Sequence, residues 1–122
     1  MQRDTTVLID IARAARLILD FKRGMNRNNF DADLKTQSAV LHQLLVIGEA
    51  VKRLSRPFRQ SNPDIPWSLI AGMRDRLIHG YDIVDMDEVW HTITVDIPGL
   101  LSNVEPLIDK QALPPDQASP KR

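Results

Sequence analysis

Eight consecutive residues, Arg74-Asp75-Arg76-Leu77-Ile78-His79-Gly80-Tyr81, gather two guanidiniums, a carboxylate, an imidazole and a phenol into one short stretch. If the stretch is helical, Asp75 and His79 are four apart and share a face. The carboxylate can then hold the imidazole in one tautomer and support its charged form. Arg74 and Tyr81, seven apart, share a second face. Arg74 and His79 are five apart, about 140° around a helix axis, so one copy presents them poorly to a single small substrate. Two copies facing across a two-fold axis could interleave both sets in one cleft.

The chemistry that suits this set is RNA strand cleavage. A histidine can move the proton of a 2′-hydroxyl or of the leaving group. Arginine stabilises the charge that develops on phosphoryl oxygens. No metal is required, in keeping with the lack of a carboxylate cluster in the sequence. The same residues also read as an ordinary helix C-terminus, where Arg76 and His79 complement the helix dipole. The other two histidines offer less. Glu88-x-x-His91 is half of a paired di-iron pattern whose second copy is missing, and Glu88 has a simpler place in a capping box. His42 lies mid-helix and reads as a partly buried or surface residue. No metal site and no cofactor are expected.

The elements that must position these residues are helical throughout, with apolar residues at 3–4 spacing and no alternation of period two. A first helix is expected from Asp4 to Arg23, with a stripe of Leu8, Ile11, Ala15, Ile18 and Phe21 and with Gly24 at its C-terminal end. MNRNNFD reads as a loop. A second helix runs from an Asp33 N-cap to about Leu54, on Val40, Leu44, Ile47, Val51 and Leu54. Gly48 inside it marks either a close helix–helix approach or simple tolerance. SRPFRQSNPDIP, with three prolines, reads as a connector. Pro66 suits the first turn of a third helix, Trp67 to His79, which carries Trp67, Ile70, Met73 and Leu77 inward and ends at Gly80. A fourth helix is capped by Asp85 and carries Val89, Ile93, Ile97, Leu100, Val104 and Leu107. Pro98 should kink or open it near Thr94. The expectation is an all-α antiparallel bundle of four main helices over residues 1–110, with residues 111–122 an unstructured tail.

The 122 residues suit one domain with a core of its own. Cysteine is absent, which excludes a disulfide framework, a cysteine zinc site and thiol catalysis. No apolar run is long enough to span a membrane and the N-terminus has no secretion-signal pattern, so a cytoplasmic protein is expected. Sixteen basic and sixteen acidic residues cancel, which disfavours nucleic-acid binding through bulk charge. Their distribution is uneven. Residues 52–76 carry Lys52, Arg53, Arg56, Arg59, Arg74 and Arg76 against Asp64 and Asp75, whereas residues 82–109 carry seven acids and no Lys or Arg. These charges either solvate helix surfaces or form a basic cleft opposite an acidic partner-facing surface.

The set Arg74-x-x-x-x-His79-x-Tyr81 resembles the signature of HepT-type members of the HEPN superfamily, the toxin half of HepT/MntA toxin–antitoxin pairs. Asp75 fits the polar residue that commonly follows the arginine. The resemblance continues through IGEAVKRLS (47–55), IPWSLIAGMRDRLIHGY (65–81) and DEVWHTITVDIPGLLSNV (87–104), and reaches to about Leu107. It implies a HEPN-like helical bundle that forms a homodimer, with the two signatures meeting at a cleft on the dimer axis. It implies metal-independent endoribonuclease activity on RNA, with Arg74 and His79 as the main catalytic pair and Asp75 as an accessory. It also implies a partner, an MntA-like minimal nucleotidyltransferase antitoxin that transfers AMP from ATP onto Tyr81 and silences the nuclease. Arg76, Lys52 and Arg53 are candidates for binding RNA phosphates, and Glu49 is a candidate for the cleft. The alternative is a non-catalytic helical module that binds a nucleotidyltransferase or a nucleotide.

Overall fold

The structure, a computed structural model, describes residues 2–80 and 83–112. It is an all-α bundle. Helix α1 (Gln2–Lys22) packs against α3 (Leu34–Lys52) and α8 (Ile97–Ala112), and α3 in turn supports α5 (Trp67–Ala71) and α6 (Met73–Leu77). Most positions of the expected stripes are the core, with Phe21, Ile70 and Leu107 only partly buried at its edge. Leu8, Ile11, Ala15, Ile18, Val40, Leu44, Ile47, Val51, Val89, Ile93, Ile97 and Val104 are all buried. Burying one such side chain is worth about 1.5–3 kcal/mol, which is why these positions fix the helix faces.

The helix ends follow local chemistry. Gly24, at φ +76°, ends α1 in the left-handed region that glycine enters without strain. Asp33 caps α3 by accepting hydrogen bonds from the Thr36 N–H (3.0 Å) and the Thr36 hydroxyl (2.8 Å). Those bonds hold its carboxyl below the usual carboxylate range. Gly48 brings the α3 backbone close to α5. A Cβ there would lie 3.5 Å from the Ile70 carbonyl oxygen and 3.7 Å from that of Ala71.

Two stretches that read as irregular are short helices. In MNRNNFD, Asn26 accepts from the Asn29 N–H (2.8 Å) and the Asn29 side chain accepts from the Asn26 N–H (3.0 Å). This reciprocal cap starts α2 (Arg27–Asp31) and drives Phe30 into the core. In the proline-rich connector, Ser55 caps α4 (Arg56–Ser61), with Pro57 in its first turn. Ser55 is itself held by the buried Asp4 carboxylate, which accepts from its N–H and from its hydroxyl, both at 2.8 Å. That pair ties the start of α1 to the start of α4.

The last long element is interrupted where Pro98 requires it. Helix α7 (Met86–His91) passes through a π-helical turn, Thr92–Asp96, before α8 begins. Pro98 has no N–H for the Thr94 carbonyl, and the Ile97 N–H reaches back five residues to the Thr92 oxygen. The Thr94 hydroxyl donates to the Trp90 carbonyl at 2.7 Å. The acidic C-terminal helices meet basic residues of the first part of the chain. Arg16 pairs with Glu105, and Arg27 joins Asp31 (2.9 Å) to Asp87 (2.8 Å). Two of the seven acids of residues 82–109 are thus used between helices. Helix α8 extends to Ala112, and the rest of the expected tail lies outside the described residues.

Candidate active site

The expected third helix is shorter than its apolar spacing implies. Gly72, at φ −92° and ψ 8°, breaks it into α5 and α6, and it ends at Leu77 rather than His79. Ile78 is extended, at φ −121° and ψ 115°, and pairs antiparallel with Val84. The His79 N–H donates to the Ile83 carbonyl and the Asp85 N–H to the Leu77 carbonyl, each at 2.8 Å. Leu77–His79 and Ile83–Asp85 therefore run antiparallel, side by side. Gly80, at φ +102°, is in a conformation that side chains of L-residues resist. Tyr81, between Gly80 and Asp82, lies outside the described residues.

This geometry corrects the helical reading of the cluster. Asp75 and His79 are not successive turns of one helix, and His79 does not complement a helix dipole, because it follows an extended residue. Asp75 faces the neighbouring Arg74 instead, with its carboxylate 3.5 Å from the guanidinium. Both are open to solvent, with 55% of the Arg74 side chain and 86% of the Asp75 side chain exposed. His79 is exposed as well. The arrangement leaves an arginine at a helix surface and a histidine on the following loop, both turned away from the core formed by Met73 and Leu77. Such groups can take up a phosphodiester without first breaking a buried contact.

The accessory candidates divide differently. Arg76 points away from Arg74 and Asp75, and its guanidinium donates to the Leu69 carbonyl at 2.6 Å. Lys52 is paired with Glu49 at 3.0 Å, and Arg53 lies 3.9 Å from Asp10. Lys52 and Arg53 are thus engaged by carboxylates of this chain, and Glu49 has Lys52 for a neighbour. His42 is a surface residue, and His91 lies 3.9 Å from Asp96 on the π-helical turn. Among the described residues no three metal-ligating side chains converge. Two arginines of the basic stretch, Arg56 and Arg59, are brought together by the fold. They line an open groove of about 520 Å³ between α4 and α5.

The all-α bundle is that of a HEPN-like protein. The chain belongs to the HepT-like ribonuclease family: the family described as "Ribonuclease HepT-like" matches residues 11–107. A protein of Thermococcus cleftensis named "Probable ribonuclease HepT" is 45% identical over 100 residues, covering 82% of this chain and 91% of that one. A Methanocaldococcus jannaschii protein named "Putative RNase" is 38% identical, covering 83% of this chain and 84% of its own length. One of Caldanaerobacter subterraneus with the same designation is 34% identical over 91% of this chain and 99% of that one. No solved structure matches the chain. No helix among the described residues is long and apolar enough to cross a membrane.

Proposed function

We propose that the protein is a metal-independent endoribonuclease, the toxin of a toxin–antitoxin pair, and that Arg74 and His79 carry out the cleavage. The observation that carries this reading is the solvent-facing placement of both groups on α6 and its loop, in a chain of a ribonuclease family. In the reaction the 2′-oxygen loses its proton and bonds to the adjacent phosphorus. The bond from phosphorus to the 5′-oxygen breaks, and that oxygen takes up a proton. His79 serves one of these transfers. Arg74 stabilises the charge on the non-bridging oxygens, where a planar guanidinium fits two at once. Asp75, beside Arg74, orients that guanidinium. The protein acts in the cytoplasm as a homodimer, and a minimal nucleotidyltransferase silences it by attaching AMP to Tyr81.

The test is cleavage of a single-stranded RNA by the purified, unmodified protein. His79→Ala or Arg74→Ala should lower the rate by about 10²–10⁴-fold while the thermal midpoint holds, because neither side chain is in the core. EDTA should change little. Cleavage that survives His79→Ala, or that stops with EDTA, rejects the mechanism.

A further inference from the structure

We infer that the groove between α4 and α5 is a second RNA-phosphate site, occupied by a backbone phosphate away from the bond that is cut. The inference rests on the ribonuclease reading for the identity of its ligand. Three features of the groove support it. Arg56 and Arg59 both line it, and neither has an ion pair among the described residues, in contrast to Lys52 and Arg53 just before them. The groove is completed by Gln60 and Ser68, which add an amide and a hydroxyl as neutral donors, and no carboxylate lines it. The Arg59 Nε is buried and has no hydrogen-bond partner among the described residues. A buried donor without an acceptor is costly to leave unmatched, so the Arg59 side chain gains by a rotation that sets its guanidinium on an anionic oxygen in the groove.

The position suits a strand that continues to the catalytic pair. Helix α5, whose Ser68 and Leu69 line the groove, leads directly into α6, which carries Arg74. Ser68 and Arg74 are six residues apart, so at most about 22 Å separates them. A strand of a few nucleotides covers that distance. The ligand is single-stranded because the groove offers two cations and a bundle surface rather than a long basic face.

The test measures binding of a fluorescent single-stranded RNA in a His79→Ala background, where cleavage does not intervene. Arg59→Gln and Arg56→Gln should each weaken binding roughly tenfold, the loss expected for a charge-assisted hydrogen bond. The double variant should flatten the plot of log affinity against log salt by about 0.7 for each phosphate it no longer neutralises. Arg23→Gln, which removes an equal charge at the end of α1, should leave the affinity unchanged. Arg56 is exposed, so Arg56→Gln reads the site even if Arg59→Gln disturbs α4. Unchanged affinity and salt slope in the Arg56 and double variants overturn the site, as does an equal loss in Arg23→Gln. If the protein with His79 intact fails to cleave while Arg56→Gln still weakens binding, the nuclease reading fails and the phosphate site stands.

Discussion

At the scale of single residues, Ile78 decides where α6 ends and with it how His79 stands to Arg74, because it is extended at φ −121° and ψ 115°. Ile78 carries the apolar pattern of α6 onward, so nothing local in the sequence marks Leu77 as the last helical residue. The signal is non-local: Ile78 pairs with Val84, six residues on. The core was legible because each buried apolar residue recurs at helical spacing. Asp4 was not, because a carboxylate on the inner face of α1 has a purpose only once Ser55 is beside it. At Tyr81 the expected chemistry is modification. Gly80 and Ile83, the described residues on either side of this stretch, are exposed. An AMP group on Tyr81 would add negative charge two residues along the chain from His79. Intact-mass spectrometry after co-expression with the nucleotidyltransferase proposed as its partner should show increments of AMP on the wild type and none on Tyr81→Phe. Modification that persists in Tyr81→Phe places the switch elsewhere.

Secondary-structure elements show the same division. The long helices were legible from stripes and caps, and the opening caused by Pro98 fell where the missing N–H puts it. The short helices α2 and α4 were hidden because asparagine and proline, residues of loops, here act as caps and first-turn residues. The loop that bears His79 is secured at its far end by Asp85 in two ways. Its N–H holds the Leu77 carbonyl, and its side chain accepts from the Glu88 N–H at 3.1 Å to start α7. Asp85→Ala keeps the first bond and loses the second. Urea unfolding should show a loss of about 1 kcal/mol, and Asp85→Asn should recover most of it. RNA cleavage by Asp85→Ala should fall by less than about tenfold, because the backbone bond still sets the loop, well short of the loss expected for His79→Ala. A fall as large as that of His79→Ala assigns Asp85 a direct part in the chemistry.

At the scale of the whole molecule, a single chain places Arg74 and His79 at the surface without enclosing them. A second groove, of about 320 Å³, runs between α5 and the π-helical turn with α8. Leu69 and Val95 stand at it 61% and 55% exposed, and Arg76 and Asp96 also line it. Apolar residues flanked by one cation and one anion make a self-complementary face, because a two-fold axis can set each Arg76 against the other copy's Asp96. Helix α6 supplies Met73 and Arg76 to this face and Arg74 and Asp75 to solvent beside it, so a second copy seated here borders the catalytic residues. Light scattering at micromolar concentration should give a mass of twice 13.9 kDa for the wild type and once for Val95→Asp, with RNA cleavage lost in the monomer. Chains carrying Arg74→Ala and chains carrying His79→Ala, each inactive alone, should regain about a quarter of the wild-type rate when unfolded and refolded together, since half the dimers are mixed and each keeps one complete site. A monomeric wild type, or a mixture that stays inactive, shows that each chain cuts RNA with its own arginine and histidine.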